Sequence, residues 1–114
     1  MFAARFQFIH QINFPAAVFK GLSLWGGNAG WAELCGLPED SLIGLGVESF
    51  VDPSSLAAVI SVFKKAALGE SAGLIPSPVV ITTPQQEKRA VSAWVFSLRD
   101  PEGTNLMLAG DVGR

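Results

Sequence analysis

The chain has 114 residues, 49% of them hydrophobic and only 16% charged, which excludes a disordered polypeptide and fits one domain. Eight Lys and Arg against ten Asp and Glu give a net charge of −2, with no run of like charge longer than two, so neither a nucleic-acid footprint nor a basic membrane helix is expected. A lone Cys35 excludes an internal disulfide and fits a reducing compartment, so the expected location is the cytoplasm.

In chain order, residues 1–14 place Phe2, Phe6 and Ile9 at helical spacing, ahead of Pro15, and predict a short amphipathic helix. Residues 16–20 and 24–27 read as two strands of a hairpin. Asn28 is a good N-cap for a short helix carrying Trp31, Leu34 and Cys35 on one face, with Gly36 as its left-handed stop. Residues 37–44 repeat that scheme, with Pro38 in the first turn and Gly44 as the stop, and residues 47–51 suit another single turn. The longest helix starts at Asp52-Pro53, follows Leu56, Val59, Ile60, Phe63 and Ala67, and ends at Gly69. Residues 79–83, 88–98 and 106–112 are strands, the last two joined by a turn at 100–103. Uncharged residues 71–86 contain Pro76, Pro78 and Pro84 and cannot span a membrane. No signal peptide, repeat or linker is visible, and the chain reads as a module of a longer protein. Two strands, a helical block and three strands predict an α+β fold: a five-stranded antiparallel sheet with short helices and one longer helix on one face.

The strand over 88–98 carries apolar residues on both parities, which a one-sided sheet does not. Val91, Ala93 and Val95 form one set; Ala90, Ser92, Trp94, Phe96 and Leu98 form the other. The last strand repeats this, with Met107 and Ala109 against Leu106 and Leu108. Mean hydropathy of +0.38 agrees with apolar surface left over once a core is filled.

The segments FPAAVF (14–19), Trp25-Gly26-Gly27-Asn28, WAELCGLPEDSLIG (31–44), FVDPSSLAAVISVFKKAALGES (50–71), VSAWVFSLRDPEG (91–103) and the closing Asp111-Val112-Gly113 together resemble a PAS domain, a sensory module of signalling proteins. The resemblance covers about residues 14–114, and divides the chain into an N-terminal helix (1–14) and a PAS domain (15–114). Gly113 stands where the family often has Thr, and the short stretch from Gly103 to Asp111 suggests a trimmed last hairpin. The resemblance implies a ligand cavity lined by Val59, Phe63, Ile81, Val91, Ala93, Val95, Met107 and Ala109. It implies an outer sheet face, formed by Trp94, Phe96, Leu106 and Leu108, that the N-terminal helix covers through Phe2, Phe6 and Ile9. A homodimer through that face and helix is expected; the alternative is a helix folded back on its own sheet. The partners implied are a second copy and the output domain of a parent protein such as a histidine kinase.

No residue of the implied cavity is a polar anchor, so no cofactor is expected; a filled core and a small apolar ligand both stay open. Haem lacks an axial His, since His10 lies outside the module. The photoactive flavin chemistry of some PAS relatives needs a Gly-x-Asn-Cys sequence, and the matching stretch here is Gly44-Leu45-Gly46-Val47. No catalytic constellation and no metal-ligand spacing is present, so the module is not expected to be an enzyme. The remaining alternatives are a sensory module, a ligand-free dimerisation scaffold and, with no residues to carry it, a small-molecule enzyme.

Overall fold

A computed structural model describes residues 4–68, 73–75, 78–99 and 103–111. Five strands, β1 (Ala16–Lys20), β2 (Ser23–Gly27), β3 (Val79–Thr82), β4 (Lys88–Ser97) and β5 (Thr104–Asp111), form one antiparallel sheet in the order β2-β1-β5-β4-β3. Two helices, α1 (Ala29–Cys35) and α2 (Pro53–Ala67), lie on one face. This is the predicted α+β architecture. The two ends of the sequence supply the sheet's middle: β1 and β5 pair side by side, with Ala16 opposite Leu108 and Lys20 opposite Thr104.

Connecting segments cover both sheet edges, which would otherwise expose unpaired backbone groups. Along β2, Leu24 N–H donates to Leu45 C=O (2.6 Å) and Gly44 N–H donates to Leu24 C=O (2.7 Å). Along β3, Asp52 N–H donates to Val80 C=O and Thr82 N–H donates to Phe50 C=O, both at 2.8 Å. Residues 73–75 take the free edge of β4 beyond β3: Ile75 N–H donates to Ala93 C=O (2.8 Å) and Val95 N–H donates to Gly73 C=O (2.9 Å).

The caps follow from local chemistry. Asn28 accepts from Trp31 N–H at the start of α1, and Gly36, at φ +72°, ends it in the left-handed conformation that glycine tolerates. Asp52 caps α2, with Pro53 at its first turn. Its carboxylate accepts from Ser54 N–H (3.1 Å) and Ser54 Oγ–H (2.6 Å) on one oxygen, and on the other from Thr82 Oγ–H (3.3 Å) and Lys88 Nζ (2.9 Å). Bonds from Ser54 first, and then Lys88, hold this carboxyl well below the usual range. Arg89 on β4 donates to the last carbonyls of α1, Glu33 (2.6 Å) and Leu34 (3.0 Å), where the helix dipole favours a cation.

Several predicted boundaries move. Of the predicted α2 face, Val59 and Phe63 turn to the core and Leu56 and Ile60 pack partly buried against it, while Ala67 is exposed and Ser55 and Ala66 take core positions that were not predicted. For Ser55 the cause is polar: Ser55 Oγ accepts Val80 N–H at 2.9 Å, so a hydroxyl takes a core position. The predicted end at Gly69 lies outside the described residues, as does most of the 100–103 turn. β5 is not trimmed, since it pairs with β4 from Ser97–Asn105 to Val91–Asp111. The N-terminal segment is not an α-helix: residues Ala4–Gln11 form a 3-10 helix, and 12–15 lead on into β1. Pro15 bars helix at its end, and Phe2 lies outside the described residues.

Candidate functional site

All eight predicted cavity residues come together on the inner face of the sheet. Val59 and Phe63 arrive from α2, Ile81 from β3, Val91, Ala93 and Val95 from β4, and Met107 and Ala109 from β5; all are buried in one continuous core. Ala93 and Ala109 face each other across the β4–β5 ladder. Three further aromatic residues share this space. Phe19 lies 5.1 Å from Phe63, 6.0 Å from Trp31 and 6.2 Å from Phe50, and Trp31 lies 5.9 Å from Phe50, mostly edge to face. Phe19, Trp31 and Phe50 were readable as buried aromatics only once the short elements carrying them were known to converge.

The polar groups of this interior are sparse. The indole Nε1 of Trp31 is buried without a hydrogen-bond partner, and Asn105 is a buried amide on β5. Burial pushes the Cys35 thiol up to about 12, against a weaker downward pull from Arg89, so the thiol stays protonated. A flavin ring would need several donors and acceptors along its pyrimidine edge and flat space beside them. Among the described inward strand residues most are aliphatic, Phe19 is a ring and Asn105 is the one side-chain amide, so the lining supplies few of these groups. It also offers no imidazole for haem, because His10 is exposed and sits 3.8 Å from Glu39 Oε1. Among the described residues no group of three His, Cys, Asp or Glu converges as a metal site.

The outer face carries the other parity of β1, β4 and β5. Ile9 of the 3-10 helix, 0% exposed, packs there with Ala16 and Val18, flanked by Ile12, Trp25, Leu98, Leu106 and Leu108. The N-terminal segment is therefore a strap folded onto its own sheet. This corrects the expectation for Ile9, which is buried within one chain and cannot serve as a surface of association while the strap is docked. Phe6 lies in the strap, but its side chain, like all of Phe2, lies outside the described residues.

Among the described residues, the strap leaves the β4 half of this face open. Trp94 and Leu108 are half-buried and Phe96 is 41% exposed. With Phe14, 48% exposed, and residues 109–110 they line an apolar groove of about 410 Å³. The indole of Trp94 lies over Gly110, where a Cβ would stand 3.7 Å from the ring. Lys20 Nζ lies 3.9 Å above the Trp25 ring at the other end of the face.

One side chain joins strap, sheet and α1. Asn28 is 3% exposed, and its Nδ2 donates to the carbonyls of Ile9 (2.9 Å), Phe14 (3.0 Å) and Ile12 (3.4 Å). Its Oδ1 accepts Ala16 N–H (3.1 Å) and Trp31 N–H (2.9 Å). Sequence reasoning saw only the helix cap. The strap contacts could not be read because nothing local marks three carbonyls upstream as partners.

No family model and no curated protein matches the chain. Solved structures do. The chain is similar to RsLOV, at 11% identity and TM-score 0.74, over 93% of this chain and 64% of that one. It is similar to the LOV domain of a blue-light activated histidine kinase from Erythrobacter litoralis, at 11% identity and TM-score 0.69, over 90% and 99%. It is also similar to the PAS domain, in complex with ethanol, of a LuxR-family transcriptional regulator from Burkholderia thailandensis, at 12% identity and TM-score 0.71, over 93% and 95%. The chain has the PAS fold. Among the described residues no helix is long and apolar enough to cross a membrane.

Proposed function

We propose that this PAS-fold chain is a sensory and protein-interaction module of a larger cytoplasmic signalling protein, a histidine kinase or another regulator. It passes its state on through sheet and dimer geometry and performs no reaction of its own. Likeness to domains from a kinase and a transcriptional regulator supports the class.

The observation that carries the interaction role is the open half of the outer face. Trp94, Phe96 and Leu108 line an apolar groove at the end of β5, beside residues 14–15 that enter β1. Full burial of each such side chain is worth about 1.5–3 kcal/mol. A second copy laid face to face supplies that burial symmetrically, because a two-fold interface needs only one self-complementary patch. Sedimentation of the wild type and of Trp94→Glu tests this. A wild-type dimer and a monomeric, folded variant are expected; a monomer for both removes the dimer.

A second reading, a scaffold with a filled core, is favoured by the four rings packed at 5.1–6.2 Å between sheet and helices. Visible absorbance and native mass spectrometry of fresh protein separate the two. A bound small apolar molecule supports sensing, and a clean apo mass supports the scaffold.

A further inference from the structure

We propose that Asn28 is the latch of an N-terminal strap, coupling the packing of the interior aromatic residues to whether residues 4–14 cover the outer sheet face or yield it to a second copy. The proposal rests on the reading of the chain as a signalling module.

The strap has little stability of its own. A 3-10 helix of eight residues has poorer hydrogen-bond geometry than an α-helix and is short of the length at which isolated helices persist. Among the described residues its hold on the sheet includes the burial of Ile9 with Ile12 beside it and the bonds to Asn28. The amide is saturated: two N–H groups serve three strap carbonyls, while the oxygen uses both lone pairs on Ala16 and Trp31. No shift of this amide keeps both sets of bonds.

Trp31 fixes the other side of the device. Its N–H binds Asn28 Oδ1, and its ring stands edge to face with Phe19 and Phe50 in the core. The first turn of α1 also lies directly on the strap's exit. A Cβ at Gly30 would stand 3.2 Å from Pro15 N and 3.3 Å from Pro15 Cα, tighter than ordinary contact. A displacement of Trp31 thus pulls on Asn28 through the bond to its Oδ1, in a turn that packs close to residue 15. What the strap covers continues the open groove: Leu108 lines the groove and also flanks the Ile9 cluster with Leu106. Release would join the two halves into one apolar face, which fits a second copy of this chain.

Hydrogen–deuterium exchange read by mass spectrometry tests the latch in the whole chain. Asn28→Asp keeps both acceptor bonds, to Ala16 and Trp31, and turns a carboxylate oxygen toward three carbonyls in place of the amide donor. Exchange across residues 7–14 is expected to quicken about tenfold or more, while α1 and β4 stay as in the wild type. Asn28→Ser, a good cap too short to reach the strap, should do the same. Phe50→Leu should quicken strap exchange in the wild-type background and add nothing in Asn28→Asp. Unchanged strap exchange, equal quickening across the whole chain, additive effects of the two substitutions, or failure of both Asn28 variants to fold would each overturn the latch. A monomeric wild type in sedimentation removes the second copy as occupant and with it the dimer reading. The exchange measurement still decides whether Asn28 couples core and strap.

Discussion

Asp52 holds three segments with one carboxylate: its own helix through Ser54, β3 through Thr82 and β4 through Lys88. Its folded pKa lies below the unfolded value, so the ionised form favours folding. That contribution is present above about pH 4, near the ordinary Asp pKa, and is lost as acid protonates the folded carboxylate. Asp52→Asn should melt at lower temperature than the wild type at about pH 7, and the gap should close as the pH falls below about 3. Thermal melts across that range check it. The cap was legible because Asp-Pro before an apolar run is local information. Lys88 was not, because only the fold brings it there. Cys35 shows the same division: a buried small hydrophobe was the simplest reading of one cysteine on an apolar helix face, and burial then keeps its thiol protonated.

Between elements, β2 packs closely against α1. A Cβ on Gly27 would stand 2.9 Å from Trp31 Cδ1, and that ring is hemmed by Phe19 and Phe50. Gly27→Ala should therefore cost about 1–3 kcal/mol in urea unfolding, as overpacked cores do. A neutral substitution would mean that the ring moves freely. Alternation in β4 and β5 sorted the residues into two sets, since a period of two needs no knowledge of partners, and the resemblance to PAS domains assigned each set to a face. It gave Val91, Ala93 and Val95 inward and Trp94 and Phe96 outward, as found. The pattern placed Val59 and Phe63 of α2 in the core but missed Ser55, because it does not count a hydroxyl that a β3 amide satisfies. The N-terminal segment was read as a short amphipathic helix over residues 1–14, and its 3-10 form over Ala4–Gln11 was not legible, because apolar spacing does not reveal that its carbonyls bond to a distant amide.

For the molecule as a whole, the balance of aromatic volume between sheet and helices decides between sensor and scaffold. Phe19→Ala removes the ring that touches three others, and should cost about 3–5 kcal/mol. The void it leaves is apolar, and such voids stay dry and take up small hydrocarbons. Benzene should raise the melting temperature of the variant and leave that of the wild type unchanged. A rise in the wild type would reveal room already present and defeat the filled core. The fold class was legible from element order, whereas the filling was not, because it depends on three short segments whose directions no pattern encodes.

Pro15 C=O accepts Ala109 N–H at 3.0 Å, one step outside the first rung of the β1–β5 ladder. The start of β1 and the end of β5 therefore lie at one corner. Tension between them would bear on a single bond at a time and peel β1 from β5 like a zip. Load in a ladder pulled lengthwise would instead be shared by every rung at once. A load applied at this corner would thus act rung by rung, where the strap joins the sheet.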